Sequence, residues 1–113
     1  MKLWIDDVRP APEGYFWCKS VRDARLVIKE AEHLAYWVIR YRQDHLENKY
    51  VIELIDIDHD AGDYADQGGD YIKLLDWLEE TGRNYPIRIH SANPVGVANM
   101  RRIIQRNGWR EVF

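Results

Sequence analysis

Residues 51–60 read VIELIDIDHD, and the fold turns on how that stretch is taken. Positions 51–57 form an apolar run of strand length, the pattern of a central strand buried in a parallel sheet. The run ends in three polar residues, Asp58, His59 and Asp60. Downstream, 58–69 is a loop of acids and glycines. Asp70 is placed to cap a helix reaching about Thr81, with Tyr71, Leu74, Leu75 and Leu78 on its inner face and Gly82 as its stop. Residues 86–91 (PIRIHS) read as another strand. Asn93 then caps a helix with Pro94 in its first turn, Val97, Met100, Ile103 and Ile104 along one face, and Gly108 at its end. Residues 109–113 add an edge strand.

Upstream, residues 2–6 (KLWID) read as a short strand ending in paired acids, and 15–19 (YFWCK) as a second strand. The intervening DVRPAPEG holds two prolines and a glycine and cannot be a helix. Ser20 is an N-cap with Asp23 three residues on. From Val21 the apolar positions 21, 24, 27, 28, 31, 34, 35, 38, 41 and 45/46 keep helical spacing, with no Gly or Pro between Ser20 and Lys49. At about 1.5 Å per residue one such helix outruns a small sheet. This predicts a kink near Glu32 and His33, or two helices over roughly 20–31 and 34–47, with a strand at 35–39 as the alternative. His33 and His45 fall in this pattern as surface or partner-facing residues.

Strands alternating with helices give an α/β fold with a mostly parallel sheet of four or five strands. Ligands in such sheets bind at the carboxyl ends of the strands. Those ends carry Asp6 and Asp7, then Asp58, His59 and Asp60, then His90 and Ser91, so three clusters distant in sequence are expected to converge.

Composition bounds the rest. At 113 residues the chain is one domain, and 46% hydrophobic with 31% charged residues suits a folded globule. A lone Cys18 excludes an internal disulfide framework and fits a reducing, cytoplasmic compartment. Neither a membrane-spanning run nor a signal pattern is present. Five Trp and seven Tyr read first as a bulky core rather than a binding platform. The net charge of −3 argues against general nucleic-acid binding, yet it is unevenly spread. Residues 50–72 hold seven acids and no Lys or Arg, whereas 83–113 hold six Arg and one acid, which suits a metal-and-phosphate site.

Carboxylates at adjacent strand ends suit Mg²⁺, which asks for one or two protein acids and keeps several waters. A calcium-loop reading from Asp56 fails, since the glycine is one place late and Gln67 stands at the final Glu position. His59 lies between two acids, which raises a histidine's pKa and fits it for proton transfer near neutrality. His90 ends the fourth strand; the alternation of Ile87, Ile89 and Ser91 sets it on the opposite face, from which it reaches the cleft only if the chain turns. Arg9, Ser91 and the helix start at Asn93 are candidate phosphate contacts. Serine-protease, Cys–His, Walker-type and zinc-cluster patterns are absent.

Acids after the first strand, Asp58 after the third and Ser91 after the fourth resemble a response-regulator receiver domain. LWIDDVRPAP at 3–12, IDHDAG at 57–62 and RIHSANPVG at 88–96 resemble, more narrowly, the cyclic-phosphate-processing receiver variant. The resemblance implies a single receiver-like domain over 1–113, a flavodoxin-like three-layer sandwich; the receiver's first crossover helix is missing here, because the eight residues 7–14 with two prolines cannot supply it. It implies metal held by Asp6, Asp7 and Asp58, Mg²⁺ or Mn²⁺ by the donor set, and phosphate bound by Arg9, Ser91 and Asn93. Catalysis would fall to His59, His90, Asp58 and Asp60, with one histidine taking a proton from water and the other giving one to the leaving oxygen. The expected activity is a metal-dependent phosphoesterase opening cyclic phosphates, on cyclic nucleotides or at RNA ends. The alternative is a non-catalytic signalling or phosphate-binding module. Two further features depart from the pattern. The tail has Arg101, Arg102, Arg106 and Arg110 but no fifth-strand Lys, and 33–49 looks like an extension. Its Tyr36, Trp37, Tyr41 and Tyr50 either cover core or meet a partner or a second copy. No membrane or sequence-specific DNA partner is expected.

Overall fold

The computed structural model describes residues 1–41 and 48–113. Four strands form one parallel sheet: β1 (Lys2–Ile5), β2 (Tyr15–Cys18), β3 (Leu54–Ile57) and β4 (Ile87–Ile89), in the order β2-β1-β3-β4. Three helices accompany them: α1 (Val21–Tyr41), α2 (Ile72–Glu80) and α3 (Pro94–Asn107). The expected fifth strand is reduced to one parallel bridge, Ile87 to Glu111, beside β4. This is a receiver-like α/β fold, and the link from β1 to β2 carries no helix.

Residues paired across the ladders share a face, so register divides the sheet cleanly. One face carries Leu3, Ile5, Ile55, Ile57 and Ile87, all fully buried. Packed on it are Val21, Ala24 and Ile28 of α1, Leu74, Leu75 and Leu78 of α2, and Met100 and Ile104 of α3, in one core. The other face carries Lys2, Trp4, Tyr15, Trp17, Asp56 and Arg88.

The helices sit on one side for a topological reason. Parallel crossovers are right-handed, so connections advancing the same way across a sheet lie on the same face. The links β2 to β3 and β3 to β4 both advance toward β4, and the chain after α3 continues that way to the bridge at Glu111. Accordingly α1 packs on α2, and α2 on α3. Only β1 to β2 runs the other way, and it is the link without a helix. The expected three layers are therefore two among the described residues, and the second sheet face has no helix over it.

Local signals explain the element ends. Ser20 Oγ accepts the Asp23 amide at 3.0 Å, and Asn93 Oδ1 accepts the Gly96 amide at 3.0 Å with Pro94 in the first turn. The helix α1 runs through Glu32 and His33 without a break, which corrects the split into 20–31 and 34–47 and the strand at 35–39. Nothing in 21–41 interrupts the backbone ladder, and the distal turns project past the sheet with Tyr36, Trp37, Ile39 and Tyr41 exposed. Midway, Arg83 grips Glu32 through Nε and Nη2 at 2.8–3.1 Å, tying α1 to the segment after α2. His33 is on the surface, accepting the Trp37 indole N–H at 3.0 Å; His45 and the rest of 42–47 lie outside the described residues. Asp70 does not cap α2. Its carboxylate instead accepts the Ala61 amide at 3.1 Å and closes the 59–70 loop, which includes a short 3₁₀ turn, Gly62–Tyr64. No helix of the described residues is long and apolar enough to cross a membrane.

Candidate metal and phosphate site

The adjacent strands β1 and β3 end side by side, and the Asp58 amide donates to the Ile5 carbonyl at 2.9 Å. That contact brings the acids following both strands together. One oxygen each from Asp6, Asp7 and Asp58 lies within 4.8 Å of the others. Opposite ligands of a Mg²⁺ ion stand roughly 4 Å apart, given Mg–O distances of about 2.0–2.1 Å. The cluster is thus near the span of a single hard cation, and its all-oxygen donor set is the kind Mg²⁺ and Mn²⁺ prefer.

Two further observations fit a cation here. Burial pushes the Asp7 carboxyl above its ordinary range, and the neighbouring charges of Asp6 and Asp58 add to that rise. Uncompensated like charges of this kind are relieved by a bound cation. In addition, Gly62 sits at φ 54° directly against the Asp7 carboxylate, where a Cβ would collide with it. Glycine here is required both by the left-handed backbone and by the space.

Asp6 is held more tightly than the other two. It is 1% exposed. Its Oδ1 accepts the Val8 and Arg9 amides, both at 2.9 Å, and its Oδ2 meets His90 Nε2 at 2.9 Å. Burial alone would raise its pKa, but the two amides and the His90 ring outweigh it and hold the carboxyl below its usual range. The other nitrogen of His90, Nδ1, meets Asp56 Oδ1 at 2.6 Å. The ring lies flat on Trp4, with centroids 3.8 Å apart and planes 5° from parallel. Burial disfavours the imidazolium, yet Asp56 and Asp6 more than offset this and raise the His90 pKa. Asp56, His90 and Asp6 therefore form one buried chain that ends on a cluster carboxylate.

Beside the cluster opens a cavity of about 340 Å³ lined by Arg9, Asp58, Asp60, Ser91, Ala92 and Asn93. Neither imidazole is in its lining. His59 sits under the first turn of α3, its ring filling the space that a Cβ on Gly96 would need, with Nδ1 at 2.7 Å from the Asp60 carboxylate. Its backbone amide donates to Asp58 Oδ1 at 2.7 Å. The Ser91 hydroxyl accepts the Asn93 amide at 3.2 Å, and Asn93 spends its own carbonyl on the helix cap.

The structure thus brings together Asp6, Asp7 and Asp58 as one group, and Arg9, Asp58, Asp60, Ser91 and Asn93 around one cavity. It sets His59 behind Asp60 and His90 behind Asp6. The expected pair of imidazoles facing one cleft is not formed, because strand alternation carries His90 to the helix-free side of the sheet. Sequence reasoning missed Asp56 and Trp4. A signal for Asp56 was present: it is the charged residue inside the buried run VIELIDI, and a charge there needs a partner.

The family model described as Cyclic-phosphate processing Receiver domain matches residues 1–106. No curated protein and no solved structure matches the chain.

Proposed function

The chain belongs to the cyclic-phosphate processing receiver domain family, and from that premise we propose that it is a metal-dependent phosphoesterase that hydrolyses cyclic phosphates. The observation that carries the proposal is the three-carboxylate cluster set against a cavity that offers Arg9 and Ser91 to a phosphate and Asp60 to a proton. Asp6, Asp7 and Asp58 hold Mg²⁺ or Mn²⁺, which when bound supplies Lewis-acid stabilisation of charge at phosphorus. Arg9 binds the non-bridging oxygens, a two-pronged contact that fits phosphate geometry. Ser91 completes the cradle through its hydroxyl proton, and the Asn93 amide holds that hydroxyl in place. Asp60 takes the proton of the attacking water, and His59 orients Asp60 through Nδ1. The bond to one ring oxygen breaks, that oxygen takes the proton back from Asp60, and the phosphate stays on the other as a monoester. The substrates are 2′,3′-cyclic nucleotides or the same group at an RNA end. A single buried Cys18, its thiol pushed up to about 12 by burial, fits a reducing cytoplasmic setting.

The test is incubation with Mg²⁺ or Mn²⁺ and a panel of 2′,3′-cyclic nucleotides and cyclic-phosphate-ended RNA. The expected product is a monoester formed only with metal. No product from any member of the panel, with metal binding demonstrated, refutes turnover.

His90 acts in this scheme through Asp6. Groups that hold a metal ligand typically account for 10–100-fold in metal affinity. We therefore expect His90→Gln to weaken Mn²⁺ binding by about 10–100-fold and to leave kcat at saturating Mn²⁺ within a few fold, since the ring does not line the cavity. Calorimetric titration with Mn²⁺ and a kcat measurement check both halves. A large fall in kcat with unchanged metal affinity would return His90 to proton transfer.

A second reading is favoured by the placement of Asp58. It follows β3 beside two acids and lines the same cavity as Ser91, the arrangement of a phosphoryl-accepting receiver. In that reading the chain is a non-catalytic module.

A further inference from the structure

The sheet face without a helix is not inert. Trp4, Tyr15 and Trp17 stand on it side by side, partly exposed. Both indoles are pinned. Trp4 Nε1 donates to the Arg9 carbonyl at 2.8 Å, and Trp17 Nε1 donates to the Asp6 carbonyl at 2.7 Å. Tyr15 packs edge-on against Trp4, with centroids 5.8 Å apart. Rings fixed in this way lose little freedom when something stacks on them.

The exposed charges at the strand positions of this face are of one sign. The Lys2 ammonium lies 5.6 Å from the Tyr15 ring centre and that of Lys19 lies 4.5 Å from the Trp17 ring centre. Arg88 is half exposed, with its Nη1 4.0 Å from the buried Asp56 carboxylate. The strand positions on this face offer one acid, Asp56, which is buried and bonded to His90. In a chain of net charge −3, a cationic face is a local exception. The face also runs into the cavity, because the carbonyl that accepts the Trp4 indole belongs to Arg9, a lining residue.

We propose that this face binds single-stranded nucleic acid, with bases stacked on Tyr15 and Trp17 and phosphates met by Lys2, Lys19 and Arg88. Aromatic rings interleaved with cations on an open sheet are the arrangement that single strands need: π-faces for unpaired bases and a positive track for the backbone. The terminal phosphate of such a strand reaches the cavity past Arg9. The inference deepens the proposed function by making the carrier of the cyclic phosphate an oligonucleotide. It is read by binding rather than turnover, so the two fail separately.

The test is fluorescence anisotropy of a labelled short single-stranded oligoribonucleotide, repeated over a range of salt and against a duplex of the same sequence. Binding of the single strand is expected to quench tryptophan fluorescence and to weaken steeply with salt. Lys2→Glu with Lys19→Glu removes two phosphate contacts from exposed or half-exposed positions, and should weaken binding at least about tenfold while lowering the salt slope by about 1–2. Tyr15→Ala should weaken it by about 5–100-fold at every salt concentration, since stacking does not depend on counterions. Circular dichroism confirms that each variant stays folded. Absence of single-strand binding at low salt, equal affinity for the duplex, or binding unchanged by these substitutions overturns the proposal. So does exclusive capture of a protein partner by this face.

Discussion

Asp58→Asn is expected to abolish the rise in melting temperature that Mg²⁺ or Mn²⁺ produces in the parent protein. A ligand that binds only the folded state stabilises it by about 2.7 kcal/mol at a hundred times its Kd. For a domain of this size each kcal/mol moves the Tm by about 4–8 °C, so the parent should gain about 10–20 °C near saturation. The variant keeps Asp6 and Asp7 but loses the ligand from β3, and with it the bridge between two strands. Without metal the order reverses. Asp7 carries a raised pKa in part because Asp58 is charged beside it, so the neutral amide should leave the metal-free variant at least as stable as the parent. Thermal melts after chelation and after readdition of each ion decide the matter. An equal shift in both proteins, or none in a stripped parent, rules out the three-carboxylate site.

Asp60→Asn is expected to lower kcat on a 2′,3′-cyclic nucleotide by about 10²–10⁴-fold at saturating metal, the usual worth of general acid–base catalysis. Metal affinity should be nearly unchanged, because Asp60 lines the cavity and is not in the carboxylate cluster. The same pair of variants separates enzyme from signalling module. If the chain is a phosphoryl-accepting receiver, labelling by a small phosphodonor requires Asp58, and Asp60→Asn labels almost as the parent does. If it is the proposed hydrolase, Asp60→Asn is nearly inactive while metal still raises its Tm. A variant that hydrolyses at the parent's rate removes Asp60 from the chemistry.

Much of the fold was legible because its signals are local. The caps at Ser20 and Asn93, the stops at Gly82 and Gly108 and the two prolines in 7–14 each act within a few residues, and each is where the pattern put it, whereas of the run at 51–57 only Leu54–Ile57 is strand, with Val51 exposed. The number of layers was not legible in this way. It depends on which direction each crossover takes across the sheet, and the spacing of apolar residues does not encode that. The continuity of α1 is hidden for a related reason: sheet size bounds only a helix that stays on its sheet, and this one projects beyond it. At the site, period-two alternation placed His90 on the face away from Ser91, and the structure keeps it there. What alternation could not supply were its partners, Asp56 from the neighbouring strand and Trp4 from the one beyond. Three of the five tryptophans, Trp4, Trp17 and Trp37, also lie outside the core, whereas Trp77 and Trp109 are buried in it. Aromatic abundance alone does not sort the two.

The β1–β3 ladder pairs residues about fifty positions apart, Lys2 with Leu54 through Ile5 with Ile57, and the acids follow directly after it. Closing so long a loop is slow, and its entropy is spent before the contacts that repay it exist. The cation-binding group therefore cannot exist in any partly folded chain in which α1 has formed but β3 has not yet docked beside β1. An ion that needs Asp6 and Asp58 together meets them only after that closure. Its influence on kinetics then falls on the reverse step: metal should leave the refolding rate almost untouched and slow unfolding, so that the ion serves as a latch on a completed fold rather than as a nucleus for it.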